Sequence, residues 1–299
     1  MATTLDLTTS YAGKAAGDWV RSAFLANESL MHVTFKENID WRQVVRRLVD
    51  PITFEAPTCD FTPLGEVTID ERWLTLKKFQ VQRNLCKNEF LADWPAGDVQ
   101  KGQLEQSMVD ALIGNMMEGI AQYNETTLWT GDGSLTTQYD GLLKLMDADA
   151  SVNKPAAAAI TTGTIFGVLQ TVIDTLPDAV KGGGEKPLIY MSQDVWEKYM
   201  FANAAVGGNG WYNTGGPEVP KTYLGLYQIA VCPGLPANSI VMARKSNLWF
   251  GTNVASDWNN VQVVDMGQFA DDNVRFSAKF FAGAQYGIGS EIVAYSTWF

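Results

Sequence analysis

The strongest hydrophobic pattern in the chain runs from residue 101 to residue 128 and predicts one long amphipathic helix. Steps of three, four or five residues separate its apolar positions, so these positions form one stripe along a helix. The apolar stripe consists of Leu104, Met108, Ala111, Leu112, Met116, Ile120, Tyr123 and Leu128. The opposite, polar face consists of Gln103, Glu105, Gln106, Asp110, Glu118, Gln122 and Glu125.

This predicted helix is longer than most helices of globular proteins. Asp98 is the predicted N-cap, and the glycines Gly131 and Gly133 are predicted to stop the helix. A segment of about 28 residues spans ~42 Å at 1.5 Å per residue. Such a length without heptads indicates either a spine across which other elements lie or a long core helix of an α/β enzyme. The helix by itself favours neither.

The first fifty residues predict an N-terminal arm. Residues 1–13 are rich in threonine and lack a hydrophobic period, whereas residues 13–27 follow helical spacing and predict a short helix. The apolar spacing from Trp41 to Leu48 predicts a second helix, which ends before Pro51. Two short helices on an arm cannot build a core alone, so we expect them to dock on this chain or on a neighbouring copy.

Residues 52–94 predict β structure. The segments 67–69 and 73–81 are rich in strand-forming residues, and charges interrupt them at 70–72 and 77–78. A two-stranded excursion of this kind is only marginally stable in isolation. Its apolar side therefore needs a partner surface, which is either its own domain or an adjacent copy.

The second half of the chain alternates helices and strands and predicts an α/β unit, which follows a small, polar linker at 147–159. Apolar residues from Ile165 to Leu176 follow the helical period, with Thr161 or Thr162 as the predicted cap. The other elements predicted for this unit are a strand at 187–191, a helix from its cap Ser192 to Asn203, a Gly/Pro loop at 206–221, and strands at 227–232, 239–243 and 247–251. The tail returns to strands at 261–264, 274–282 and 292–295.

Composition and charge restrict the function classes. The chain has 299 residues and is 46% hydrophobic, which is enough for two ordinary domains with a real core. Its formal net charge is −11. This charge argues against a nucleic-acid binder with a basic surface, because neutralising phosphates requires clustered Lys and Arg. It does not argue against a protein that merely encloses nucleic acid.

The sequence shows no sign of membrane insertion or of a disulfide framework. No stretch approaches 18 consecutive apolar residues, and no basic segment precedes an apolar run at the N-terminus, so we expect neither a membrane span nor a signal peptide. Cys59, Cys86 and Cys232 are odd in number and widely spaced, which favours buried free thiols in a reducing cytoplasm. The alternative is that Cys59 and Cys86 lie near each other across a hairpin.

No pattern typical of an active site is present, so we predict no catalytic, cofactor-binding or metal-ligating residue, no cofactor and no enzymatic activity. The single histidine, His32, is predicted to be a surface or packing residue, since no Gly-x-Ser-x-Gly elbow accompanies it. Residues 182–186 are glycine-rich but lack the ending of a phosphate-binding loop. The acidic residues predicted to lie in turns, and not in a calcium loop, are Asp132, Asp140, Asp147, Asp149, Asp271 and Asp272.

The order of these parts resembles the major capsid proteins of tailed double-stranded DNA bacteriophages, which have the Hong Kong 97-type fold. None of the segments that carry the resemblance is a strict signature, and their joint order along nearly the whole chain is what indicates the family. These segments are residues 128–134 (LWTGDGS), 139–143 (YDGLL), 190–196 (YMSQDVW), 223–226 (YLGL), 232–236 (CPGLP), 247–253 (NLWFGTN) and 281–285 (FAGAQ).

The resemblance implies an α+β Hong Kong 97-type capsid fold. Its implied parts are an N-terminal arm at 1–50, an extended β-hairpin loop at 51–94, a peripheral domain with the long spine helix at 95–159, an α/β axial domain at 160–254, and return strands of the peripheral domain at 255–299. In this arrangement the spine helix packs under the C-terminal strands near Phe276 and Phe280 through Leu104, Met108, Leu112 and Ile120.

The implied function is that of a structural major capsid protein. Copies of the chain assemble into hexamers and pentamers of an icosahedral head, which encloses double-stranded DNA without sequence-specific binding. The implied partners are other copies of the chain, scaffolding and portal proteins, and decoration or head–tail connector proteins, with no membrane. The implied location is the virion, after synthesis and assembly in the host cytoplasm.

Three alternatives stay open at this point. An encapsulin-type nanocompartment shell protein shares the fold and a similar length, and the other two are a tail or baseplate protein and an α/β enzyme. Some family members also form a covalent cross-link between a lysine of the extended loop and an asparagine of the peripheral domain. Lys77 or Lys78 is the candidate lysine here, without a matching asparagine and glutamate.

Overall fold

The computed structural model describes residues 28–49, 68–86, 106–205, 222–223, 226–253, 261–269, 271 and 273–299. The strands in this part of the chain are β1 (Thr34–Lys36), β2 (Arg42–Val49), β3 (Thr68–Thr75), β4 (Lys77–Cys86), β5 (Leu188–Met191), β6 (Thr222–Tyr223), β7 (Tyr227–Val231), β8 (Ser239–Ala243), β9 (Leu248–Gly251), β10 (Val261–Asp265), β11 (Asn273–Tyr286) and β12 (Val293–Ser296). The helices are α1 (Gln106–Thr130), α2 (Leu142–Ala148), α3 (Ile165–Thr175), α4 (Asp178–Lys181) and α5 (Gln193–Ala205).

The strand β11 organises the first sheet. It pairs antiparallel with β4 from Asn273 to Ala282, with β10 in the same region, and with β9 from Gly283 to Tyr286. The strand β1 extends this sheet by pairing parallel with β9. Alternate residues of β11 are buried, as the predicted strand at 274–282 requires, and the strand continues four residues beyond that prediction.

The long helix predicted at 101–128 is confirmed as α1. It ends at Thr130, and the N–H of Gly131 bonds the carbonyl of Thr127, as expected for a glycine stop. The buried side chain of Ile120 packs with Ala278 and Phe280, so this part of the predicted contact with the C-terminal strands is confirmed. The side chains of Leu104, Met108 and Leu112, and the predicted cap Asp98, lie outside the described part of the structure.

The second sheet has the order β12-β8-β5-β7-β6, and α3 and α5 pack against it. The predicted strand–helix alternation is therefore confirmed, including the cap of α5, where the Ser192 hydroxyl accepts from the N–H of Val195 at 3.4 Å. The N-cap of α3 is Thr164, not Thr161 or Thr162, because the chain makes an additional turn before the helix begins. The predicted loop at 206–221 lies outside the described residues.

A shared core joins the two sheets. Trp129 of α1, Tyr190 of β5 and Tyr286 of β11 are fully buried in one cluster. The predicted linker at 147–159 contributes to this core, because Val152 is buried and Asn153 bridges to Val293 of β12. Strand β9, from the predicted axial domain, pairs with β11 of the predicted return strands, and β12 of the return strands pairs with β8 of the axial domain. Strand pairing therefore crosses the predicted boundary between residues 254 and 255. The division into domains stays a prediction.

The helix predicted between Trp41 and Leu48 is wrong, since this segment forms β2. It pairs antiparallel with β3 along eight residues, from Arg42 opposite Thr75 to Val49 opposite Thr68. Its apolar spacing fits a helix, but β-branched residues favour strands and the pairing partner decides the outcome. The helix predicted at 13–27 lies outside the described residues.

The strands predicted within 52–94 also have different pairing partners from those predicted. The strands β3 and β4 are both present, but they do not pair with each other. Instead β3 pairs with β2, and β4 pairs with β11 in the first sheet. The pair β2–β3, which we call the hairpin, therefore joins residues on both sides of the predicted boundary between 50 and 51.

Close packing of β11 against the hairpin's base leads to a first prediction. A Cβ at Gly283 would overlap the backbone carbonyl of Thr75, so Gly283→Ala must displace β3 or β11. We expect it to lower the free energy of unfolding by about 1–3 kcal/mol, measured by denaturant unfolding of the unassembled subunit.

The matched control is Gly167→Ala in α3, where no atom lies within 4 Å of the added Cβ. It should raise the free energy of unfolding by about 0.5–1 kcal/mol, because alanine restricts the unfolded chain and favours a helix. Equal stability of the two variants would show that β11 and β3 are not in tight contact.

Candidate assembly surface

The inner face of the hairpin is packed on its own chain. Alternate residues of a strand point to opposite sides, and Leu74 on the inner face is fully buried. It packs with Ile39, Leu76 and Trp249, and Val45 of β2 lies against the same cluster. The hairpin is therefore anchored by apolar contacts at its base.

The outer face of the hairpin carries exposed apolar side chains on both sides of an ion pair. Val44 is paired with Trp73, and residues directly opposite in an antiparallel pair share a face. Trp73 is 49% exposed and Ile69 is 61% exposed, and between them the ion pair Arg46–Glu71 measures 2.8 Å. Exposed apolar surface of this kind, next to polar groups, is typical of a protein–protein interface.

An ion pair fixes the hairpin's base to the body of the protein. Arg72 Nη2 lies 2.5 Å from Asp149 Oδ2, and the Tyr286 hydroxyl donates to the same oxygen at 2.8 Å. The Arg72 guanidinium also stacks on Tyr286, 4.5 Å from the ring centroid. Partial burial acts to raise the pKa of Asp149, but the hydrogen bonds from Arg72, Ser151 and Tyr286 outweigh it and hold the pKa well below its ordinary range.

Lys77, one candidate for a cross-link, is held inside its own chain. Its ammonium donates to the carbonyl oxygens of Gly133 at 2.9 Å, Leu135 at 2.5 Å and Gln138 at 2.8 Å. These bonds shape the loop that follows α1. The other candidate, Lys78, is exposed and lies 5.8 Å from the Phe281 ring centroid. Cross-linking stays a prediction.

Two partly open cavities lie beside these elements. One, of about 310 Å³, runs along α1 from Gly119 to Thr130 against the loop at Gln138. The other, of about 260 Å³, lies at the hairpin's base, and its lining includes Arg46, Arg244 and Glu291. Neither cavity is lined by a histidine or a cysteine.

The pattern along α1 assigns Glu125 to the polar face, but the structure buries it completely. Its carboxylate accepts hydrogen bonds from the Ser29 N–H at 3.1 Å, from the Ser29 hydroxyl and from the Gly234 N–H at 3.2 Å. Trp129 Nε1 in turn donates to Ser29 Oγ at 2.8 Å. Burial raises the pKa of Glu125 although the bonds from Ser29 and Gly234 act to lower it.

We call Ser29, Glu125, Trp129 and Gly234 the Glu125 junction. It joins α1 to a 3₁₀ turn at Glu28–His32 and to the turn after β7. The period along α1 alone gives no sign of it, because both covering segments are distant in sequence. The junction holds the described beginning of the chain against the core.

Three residues weighed for catalysis or metal binding, His32, Asp132 and Asp140, take part in contacts within the fold. The carbonyl of His32 accepts from the Tyr190 hydroxyl at 2.6 Å. Asp132 and Asp140 each lie 2.6 Å from Lys144, and the bond from Lys144, with those from Ser134, lowers the pKa of Asp132.

The described residues show neither a metal-binding cluster nor a membrane-spanning helix. They contain no group of three or more His, Cys, Asp or Glu placed to hold a metal. None of their helices is both long and apolar enough to cross a membrane. Within the same part of the chain, neither Cys86 nor Cys232 forms a disulfide bond, and Cys59 lies outside it.

Comparison with known proteins shows similarity of structure without similarity of sequence. No family model and no curated protein matches the sequence. The capsid of a native GTA particle matches with a TM-score of 0.61 at 14% identity, covering 98% of this chain and 96% of that chain. A structure from Gordonia phage Cozz matches with a TM-score of 0.61 at 13% identity, covering 98% of both chains. The chain has the fold of phage capsid proteins.

A third match extends the capsid fold beyond phages. A virus-like particle from Pyrococcus furiosus has a TM-score of 0.52 at 11% identity, covering 89% of this chain and 91% of that chain. These identities are too low to carry over any residue's role. The comparisons therefore show the fold alone, and the candidate assembly surface is argued from the contacts of this chain.

Exposed apolar side chains occur on several other parts of this capsid fold. Met31 and Phe35 lie near the beginning of the described chain, and Phe269 follows β10. The others are Trp41, Tyr123, Leu135, Phe201, Leu226, Val263, Val264, Trp298 and Phe299. The hairpin differs from these places because its inner face is anchored to the body through the buried Leu74, while Ile69 and Trp73 stay exposed on its outer face.

The Glu125 junction leads to a second prediction. Glu125→Ala leaves the buried N–H groups of Ser29 and Gly234 without their acceptor, so we expect the free energy of unfolding to fall by about 1–3 kcal/mol. Hydrogen exchange of the unassembled subunit should show faster exchange at the Ser29 amide. The control is Thr126→Ala, an exposed neighbour on α1, with an effect within about 0.5 kcal/mol. Unchanged exchange at Ser29 would contradict the junction.

The pair Arg72–Asp149 leads to a prediction on pH. Because the pKa of Asp149 is lowered in the folded chain, its ionised form stabilises the fold above the unfolded pKa of about 3.9, and this contribution is lost as pH falls below that value. Asp149→Asn should therefore be less stable than wild type near pH 7, with a difference that shrinks below about pH 4.

The check is denaturant unfolding of both chains at several pH values. The exposed Asp178→Asn is the control, whose stability should stay parallel to that of wild type. A wild-type advantage over Asp149→Asn that stays constant down to pH 3 would mean that the Asp149 carboxylate is not held by Arg72.

Proposed function

We propose that this chain is the structural major capsid protein of a tailed double-stranded DNA phage, which assembles into hexamers and pentamers of an icosahedral head. The single observation that carries the proposal is the hairpin's exposed apolar outer face, found on a chain with a capsid fold. Ile69 and Trp73 are exposed within the described chain, whereas Leu74 on the opposite face is fully buried.

The physical argument is one of burial. A two-stranded hairpin is marginally stable in water, and its outer apolar side gains stability when another surface removes it from solvent. In a shell, a neighbouring copy of the chain provides a surface that can cover this face. Interfaces between obligate partners bury about 2,000–5,000 Å², which is more than one hairpin supplies, so other exposed apolar groups contribute as well.

The proposal assigns the parts of a Hong Kong 97-type fold to this chain. The arm is residues 1–50, the extended loop 51–94, the peripheral domain 95–159 with return strands 255–299, and the axial domain 160–254. The pairing of β2 with β3 supports extending the loop to begin near residue 42. The long α1 under β11 supports its role as the spine.

The proposed content of the shell is double-stranded DNA held without sequence-specific contacts. The net charge of −11 supports this assignment, because a wall that bound DNA tightly through a basic surface would hinder packaging. Scaffolding and portal proteins, and decoration or head–tail connector proteins, are the further partners proposed. The proposed location is the virion, after assembly in the host cytoplasm, and the proposed role is structural and not enzymatic.

A second candidate is a nanocompartment shell of the encapsulin type. The specific observation that favours it is the match to the virus-like particle from Pyrococcus furiosus. Electron microscopy of purified particles, with extraction of their contents, distinguishes the candidates. DNA-filled heads support the phage capsid and protein-filled shells support the nanocompartment, whereas tubes or unassembled chains would exclude both.

The hairpin's outer face leads to the corresponding mutational prediction. Ile69→Asp replaces an exposed apolar side chain of this face by a charge, so we expect the yield of particles from cells that express the chain to fall by at least about tenfold. The unassembled variant should keep its unfolding midpoint, because Ile69 is 61% exposed. Ile69→Val, which keeps the face apolar, is the control and should assemble like wild type. Normal assembly of Ile69→Asp would exclude this face as an interface.

A further inference from the structure

One arginine of the hairpin differs from the others in its surroundings. Arg46 pairs with Glu71 at 2.8 Å, and Arg72 pairs with Asp149 at 2.5 Å. Arg42 has no carboxylate partner among the described residues, and its side chain is exposed. A guanidinium without a carboxylate partner, on a hairpin where Arg46 and Arg72 each have one, is a candidate for pairing with another chain.

Aromatic contacts hold this arginine in place. The Arg42 guanidinium carbon lies 4.4 Å from the Trp41 ring centroid and 6.0 Å from that of Trp73. Stacking of this kind fixes the guanidinium plane, while its N–H groups at the edge stay free to donate. Trp41 is 62% exposed and Trp73 is 49% exposed, so the stacked group is accessible from solvent.

The chemistry of this group fits a carboxylate. A planar guanidinium donates two parallel hydrogen bonds to a carboxylate, and prior stacking reduces the entropy lost on binding. Tryptophan and arginine are also the residue types most enriched among the side chains that dominate interface energies. Trp41, Arg42 and Trp73 are therefore residue types typical of the centre of an interface, and the stacked guanidinium can bind a carboxylate.

The overall charge identifies the source of the carboxylate. The chain has 33 Asp and Glu against 22 Lys and Arg, so a second copy presents an excess of carboxylates. Phosphates of a nucleic acid would also match the guanidinium, but a duplex carries one negative charge per about 1.7 Å of its axis, so the net charge of −11 repels it at long range more strongly than it repels a second copy. A second copy of the chain is thus the better match in charge.

We propose that Trp41, Arg42 and Trp73 form a clamp that binds a carboxylate side chain of a second copy of this chain. The proposal rests on the proposed function and adds to it the chemistry of the contact. Apolar burial across the outer face supplies most of the attraction, and the clamp fixes which acidic segment of the neighbour lies beside the hairpin's base.

The test is Arg42→Lys, with Arg275→Lys as the matched control. Lysine keeps the charge but loses the planar fork and the stacking, so we expect the yield of particles from expressing cells to fall by about tenfold or more. Arg275 of β11 lies outside the hairpin and is exposed and paired with Asp271 of its own chain, so Arg275→Lys should change the yield by less than about twofold. Unfolding midpoints of the unassembled variants should equal that of wild type.

A second variant keeps the test independent of Arg42. Trp73→Leu keeps an apolar side chain on the outer face but removes an aromatic wall of the clamp, and it should also lower the yield. Should Arg42→Lys and Trp73→Leu both assemble like wild type, the clamp is wrong while the proposed function stands. If wild type forms no particles, both the function and the clamp fail.

Nuclease treatment separates the two partner classes. Wild-type subunits obtained by dissociating particles should reassemble equally well with and without prior nuclease treatment, and the defect of Arg42→Lys should persist in both cases. Reassembly that requires added DNA, together with loss of DNA binding in Arg42→Lys, would assign the clamp to phosphate and overturn the proposal.

Discussion

The rest of the structure depends on the antiparallel pairing of β11 with β4. This pairing orders ten consecutive residues on each strand and fixes the register of β11. In that register Phe280 meets Ile120 of α1, Gly283 lets Thr75 of the hairpin approach, and Tyr286 reaches Asp149. A slip by one residue would turn all these groups to the wrong face, so one strand sets both the spine helix and the hairpin's base.

Two polar contacts further restrict how the surrounding segments pack on this sheet. The Glu125 carboxylate joins three segments that are far apart in sequence, and the pair Arg72–Asp149 ties the hairpin to α2. Buried charges are unfavourable unless hydrogen bonds satisfy them, so each contact is tolerated only in one arrangement of its neighbours. Apolar packing thus supplies the attraction, while these groups restrict the geometry.

The sequence predicts those features that depend on local periodicity. The helix α1, the strands β5 and β8 and the long β11 all follow from the spacing of apolar residues. Features that depend on distant partners could not be predicted in this way. Residues 42–49 have spacing that fits a helix, and only pairing with β3 makes them a strand, whereas Glu125 looks like a surface residue until Ser29 and Gly234 cover it. The Arg42 stack depends on Trp73, which lies across the hairpin.

The two faces of the hairpin also affect how the chain exists before assembly. One face is buried in the folding of a single chain, but in a shell of the proposed kind the other is buried only in a bimolecular step. By mass action, that part of the stability grows with the concentration of subunits and vanishes on dilution. Such a chain reaches its full stability only when a neighbouring subunit covers the outer face. Until then the same exposed face that allows a newly made subunit to assemble also exposes it to aggregation.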